Sequence, residues 1–146
     1  MPKATIANIT DLGFQPEQFK SPADWLDAAG YLDRILDRIG LVVEDVVGAT
    51  TYAGIAEGVL FERLAQAEEA FVEAELWRRM EKFERGIVAM NGGAKDGETI
   101  GSRLLANADD AEDRGWEYLG KVTGEDYSGG FSVGNVASGK FAESTE

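Results

Sequence analysis

Histidine and cysteine are both missing from this 146-residue chain. Without thiols there is no disulfide, no thiolate nucleophile and no cysteine-based zinc site, and without imidazole the usual general base near neutral pH is gone. A cytoplasmic or capsid environment fits that composition. Long apolar runs are also missing: charge-free stretches such as residues 49–56 fall far short of the roughly 20 residues that a membrane-spanning helix needs. The N-terminal Met-Pro-Lys-Ala-Thr has one basic residue and no apolar h-region, so it does not read as a secretory signal. Positive charge is scarce, with 14 Lys and Arg against 27 Asp and Glu and a formal net charge of −13. Non-specific affinity for DNA is therefore disfavoured. Residues 21–90 hold 14 acids and 7 bases and residues 91–146 hold 11 and 5, so the excess is spread along the chain. Two kinds of protein use such repulsion: one lining a channel through which DNA slides without sticking, and an acidic DNA mimic that occupies a basic, nucleic-acid-binding partner.

What is present is enough apolar material, 44% of residues, for one domain with a real core. Residues 1–20 place Ile6, Ile9, Leu12 and Phe14 at spacings that suit a short helix or an irregular packed arm. Ser21-Pro22-Ala23-Asp24 combines an N-cap hydroxyl, proline at the first helical position and an acid in the first turn, which predicts a helix start. Trp25, Leu26, Ala29, Leu32, Ile35, Leu36 and Ile39 follow at three- and four-residue steps, and Gly40 is read as the stop. Residues 41–47 read as one or two further turns, with Gly48 ending them and Thr50-Thr51 as caps for the next helix.

From Ile55 through Val59, Leu60, Leu64, Ala67, Phe71, Ala74, Trp77, Met80, Phe83 and Ile87 a helical stripe runs for about 38 residues without proline, or about 55 Å. A helix that long must lie against another element or another subunit, while Gly54 and Gly58 mark a bend or a close approach. Glu75 with Arg79 and Glu81 with Arg85 are correctly oriented i,i+4 pairs that predict a solvated outer face. The expectation is an all-α protein, a small helical bundle with one long helix. Residues 1–90 form its helical core, residues 91–101 a glycine-rich loop, residues 102–119 an additional helix weakened by Gly115, and residues 120–146 an extended glycine-rich C-terminal arm that cannot form its own core.

Candidate chemistry is thin. Asp109, Asp110, Glu112 and Asp113 fan over more than half of a helix circumference and lack the alternation of a calcium loop, so they read as a solvated face. Asp33 and Asp37 sit in an Asp-Arg repeat typical of ordinary surface charge. The loop at residues 91–101 lacks the Gly-Lys-Ser/Thr close of a phosphate loop. No catalytic residue, metal or cofactor is expected. An enzyme working with Asp, Glu, Tyr or Ser alone is the weakest of the function classes. Arg78, Arg79, Lys82 and Arg85 form the one basic cluster, diluted by neighbouring acids. With Trp77, the arginines Arg78, Arg79 and Arg85 are expected at an oligomer interface, paired with acids on a neighbouring subunit. Trp25, Trp77 and Trp116, one per main helix, are expected in core or interface packing. In the arm, Tyr127, Phe131, Val133, Val136 and Phe141 are expected to bind a partner, with residues 131–136 added as a strand to its sheet.

The order of pieces resembles the small head-tail connector, or adaptor, proteins of tailed bacteriophages. The likeness lies in Ala4-Thr5-Ile6-Ala7-Asn8-Ile9, the helix at residues 25–39, the short turn at residues 41–47 and the Ala-, Glu- and Leu-rich stretch Ile55-Ala56-Glu57-Gly58-Val59-Leu60-Phe61-Glu62-Arg63-Leu64. It covers residues 4–90. The resemblance implies a virion structural protein located at the head-tail interface, and in the host cytoplasm during assembly. It implies a ring of about twelve subunits docked on the portal protein, followed by a further connector or tail protein, with DNA passing through the centre. It also implies that a C-terminal extension contacts the portal, which maps onto residues 120–146, with Tyr127, Phe131 and Phe141 foremost. The sequence departs from leaner members of that family in its glycine-rich segment after Met90 and the helix around Trp116. The competing expectation is an acidic regulator or DNA mimic of a basic partner.

Overall fold

The computed structural model describes residues 2–91 and 94–125, and every regular element among them is helical. Five α-helices run in order: α1 (Ile6–Thr10), α2 (Tyr31–Val47), α3 (Ala49–Gly54), α4 (Gly58–Asn91) and α5 (Ala94–Thr123), with a 3-10 turn at Pro16–Phe19 between the first two. The bundle is built around α4. Its buried residues, among them Leu64, Ala67, Ala70, Phe71, Val72, Leu76 and Met80, surround the helix instead of occupying one stripe, because α4 is covered on opposite sides. One cover is α5, whose Leu104, Ala108, Ala111, Trp116 and Leu119 make a single apolar face. The other is α2 with the N-terminal elements, through Leu32, Ile35, Leu36, Ile39 and Val43.

The predicted helix start at Ser21 is corrected by the backbone. Lys20 and Ser21 have φ of 64° and 49°, and Ala29 has 55°. An N-cap residue needs extended backbone, so Ser21 in a left-handed conformation cannot open a helix. Residues 21–30 instead turn back on themselves: the Asp24 carbonyl accepts the Tyr31 amide at 3.0 Å and the Trp25 carbonyl accepts the Leu32 amide at 3.3 Å. Gly30 is required there, since a Cβ would collide with the Asp24 carbonyl oxygen. The turn brings the Trp25 ring to 5.4 Å from both Phe19 and Tyr31, which are 5.9 Å from each other, and Phe19 also meets Phe83 of α4. Aromatic burial thus overrides a locally favourable helix signal.

Gly40 is the second correction, because α2 continues through it to Val47. The glycine lets the N-terminal segment lie on the helix, with Pro2 Cβ 3.0 Å from where its own Cβ would be. The helix does end at Gly48, whose φ is +99°. Thr50 and Thr51 are not caps but lie within α3. The long stripe forms as one helix, α4, from Gly58 (φ +88°) onward; only Ile55 stands before it, in the break between Gly54, where α3 closes, and Gly58.

Beyond Asn91, helix α5 occupies most of the expected loop and the first residues of the expected arm, from Ala94 to Thr123. Antiparallel pairing with α4 outweighs the helix cost of its four glycines. Gly115 is part of that pairing and not a weakness, since Phe71 fills the space a methyl would take, with its Cε1 2.5 Å from an added Cβ. Gly115→Ala is expected to cost about 1–3 kcal/mol by overpacking, seen as a lower urea midpoint at unchanged slope. The remainder of the expected arm, including Tyr127, Phe131, Val133, Val136 and Phe141, lies outside the described residues. Among those described, no helix is long and apolar enough to cross a membrane.

Candidate functional site

Successive arginines on α4 serve opposite layers, as residues about 100° apart on a helix must. Arg78 reaches α5, with Nη1 3.1 Å from Glu112 and Nη2 3.6 Å from Asp109. Arg79 turns the other way, to Glu75 at 2.9 Å, where Arg38 of α2 joins it at 3.0 Å. Glu73 takes Arg114 of α5 at 2.7 Å and the Trp77 indole N–H at 3.3 Å, and the Trp77 ring meets Phe14 edge-on at 4.9 Å. Arg85 pairs with Glu81 at 3.3 Å. The acids expected on a neighbouring subunit for Arg78, Arg79 and Arg85 are therefore supplied by this chain. The i,i+4 pairs form as read, yet Glu81 is buried and Glu75 only a quarter exposed, so this face of α4 is less open than the solvated face expected.

This difference separates two kinds of arginine. Arg78→Ala strips a buried Glu112 of its guanidinium and is expected to cost about 1–3 kcal/mol. Arg85 is two-thirds exposed although its partner Glu81 is buried, so Arg85→Ala is expected to cost less, about 0.5–1 kcal/mol. Urea unfolding of both variants checks the ordering.

The most deeply placed polar group is Glu68 on α4, with no exposed surface. Its Oε1 accepts the Lys3 and Ala4 amides at 2.6 and 2.8 Å, and its Oε2 accepts the Tyr52 hydroxyl of α3 at 2.5 Å. Burial pushes the Glu68 carboxyl above its ordinary value, against the lowering effect of the bonds from Tyr52, Ala4 and Lys3. Burial, then the Glu68 bond and charge, raises Tyr52 as well. The Lys3 ammonium lies over the Tyr52 ring at 4.6 Å and the Phe61 ring at 5.7 Å. One carboxylate thus fastens the N-terminal segment and α3 to the central helix. Sequence reading missed it, although a signal existed: Glu68 stands four residues after Leu64 and three before Phe71, on the apolar stripe where a carboxylate is out of place.

Asp33 is likewise structural, its Oδ2 accepting the Ala29 amide at 2.7 Å. Asp109, Asp110 and Asp113 are exposed while Glu112 faces Arg78. Among the described residues no group of three or more Asp or Glu is placed to hold a metal ion.

A cavity of about 230 Å³ opens between the start of α2 and the middle of α4, lined by Tyr31, Arg34, Ile35, Arg38 and Arg79. Arg34 is held from behind by Asp24 and by the Ala29 carbonyl, each at 3.0 Å. The Arg79 guanidinium lies 5.2 Å from the Tyr31 ring. Burial alone would raise Glu75, but hydrogen bonds and charge from Arg79 and Arg38 outweigh it and hold the carboxyl below its ordinary range. Comparison of the chain with known protein families, curated proteins and solved structures gave no match.

Proposed function

We propose that this chain is a virion structural protein of the head-tail connector type. It acts by assembly into a ring of about twelve subunits that docks on a portal and lets DNA pass through its centre without specific binding. The observation that carries the reading is the antiparallel α4/α5 hairpin, with helices of 34 and 30 residues. At 1.5 Å per residue these reach about 50 and 45 Å, a rod-like body suited to packing side by side around a ring. The charge of −13 supports a channel that repels DNA. Since the ionic partners of Arg78, Arg79 and Arg85 are internal, association falls to apolar surface. Leu41 and Val59 are both about two-thirds exposed, and Tyr127, Phe131, Val133, Val136 and Phe141 supply further anchors in residues 120–146. The DNA-mimic alternative needs an array of free carboxylates; Glu73, Glu75, Glu81 and Glu112 are committed to arginines, which leaves it to exposed acids such as Asp110 and Asp113.

Low-resolution imaging of the native particle tests the reading, which expects this chain as a ring between portal and tail. Replacing Phe131 and Phe141 together by serine is expected to leave the helical body folded, with unchanged circular dichroism, while weakening attachment to the portal. Full attachment by the double variant would remove the anchoring role.

A further inference from the structure

We propose that the cavity between α2 and α4 is a binding site for a carboxylate monoanion on a short stem, gripped by Arg34, Arg38 and Arg79. In a chain with only 14 basic residues, three guanidiniums line one concavity of about 230 Å³. No carboxylate lines it. The two acids that steady the arginines, Asp24 and Glu75, stand outside the lining, and Asp33 is tied to the Ala29 amide. Asp24, Glu75 and Asp33 together balance the three guanidiniums, so the opening carries no large excess of positive charge, which suits a monoanion better than a phosphate dianion. Glu75 fixes Arg38 through Nη2 and Arg79 through Nε, and of the five N–H donors in each rigid guanidinium fork the others are left for a ligand. Arg79 is further fixed beneath the Tyr31 ring, so less side-chain freedom is lost on binding. Ile35 and Tyr31 give the stem an apolar wall. The volume is below the roughly 300–1,000 Å³ of sites for larger ligands, which selects an acid of a few carbons or a single Asp or Glu side chain.

N-acetylglutamate is the probe, with N-acetylglutamine as its neutral isostere, titrated into the full chain while the arginine Nε–H signals of Arg38 and Arg79 are followed by NMR. A saturable shift with the acid and none with the amide is expected. Arg38 is over half exposed and Glu75 keeps Arg79 without it, so Arg38→Gln preserves the fold and is expected to weaken binding about tenfold. Arg38→Lys, which keeps the charge but loses the fork, should fall between. Sedimentation with and without saturating N-acetylglutamate identifies the natural source. A fall in mass points to an acidic side chain of a second copy, and a constant mass to a free small acid. An unsaturable shift, an equal response to acid and amide, or undiminished binding by Arg38→Gln would overturn the proposal.

Discussion

Replacing Glu68 by alanine is expected to lower the free energy of unfolding by about 3–5 kcal/mol. The loss is not that of one surface charge. The substitution removes the acceptor shared by the buried Ala4 amide, the Tyr52 hydroxyl and the Lys3 amide. A buried donor without its partner costs about 1–3 kcal/mol, and the relief of no longer burying a carboxylate offsets only part of the total. The N-terminal segment should also detach before the rest unfolds, visible as fast amide exchange at residues 3–5. Glu68→Gln keeps one oxygen for both amides and should be milder.

The glutamine variant also gives a pH test with a definite sign. Because burial raises the Glu68 carboxyl above its ordinary 4.5, its contribution to stability is complete below that value and fades as pH climbs through the raised one. Glutamine has no such dependence. The stability gap between the parent chain and Glu68→Gln should therefore narrow from acid toward neutral pH, as measured by urea unfolding across that range. A gap that widens would mean that the bonds from Tyr52, Ala4 and Lys3 outweigh burial.

The second large effect is expected at Phe71, where truncation to alanine should cost about 3–5 kcal/mol. The ring is 1% exposed at the α4/α5 seam, edge-on to Trp116 at 5.1 Å and seated in the space left by Gly115. Removing it opens a cavity that two long, mutually braced helices cannot easily close. The same geometry predicts non-additivity. Gly115→Ala, harmful beside the phenylalanine, should be nearly neutral or favourable in the Phe71→Ala background, because the new methyl then enters vacated space. A double-mutant cycle by urea unfolding should give a coupling of about 1–3 kcal/mol, and simple additivity would show that Phe71 and Gly115 do not share one site.

How much of this was legible in the sequence depends on whether the signal was local. The α4 stripe from Leu64 to Met80, the stop at Gly48, the break marked by Gly54 and Gly58, and the burial of Trp25 and Trp116 all come from periodicity and residue chemistry. Ser21-Pro22 failed because the competing term was a distant aromatic cluster: Trp25 reaches Phe19 and Tyr31 only if the backbone turns. Gly40 and Gly115 were read as a stop and a weak point, whereas each has another segment beside it, namely Pro2 and Phe71. A glycine that ends a helix and one that admits a neighbour look alike until the neighbour is known. For the candidate sites, the Glu75–Arg79 pair was visible by its spacing, but Arg38 comes from α2, and only the packing of α2 on α4 brings it there.

Assembly is the claim on which the functional reading rests, and sedimentation velocity of the full chain, alone and mixed with a purified portal ring, tests it most directly. The proposal predicts a ring-sized species whose population rises with concentration, and co-sedimentation with the portal. A single monomeric boundary at every concentration, with none of the chain travelling with the portal ring, would contradict it.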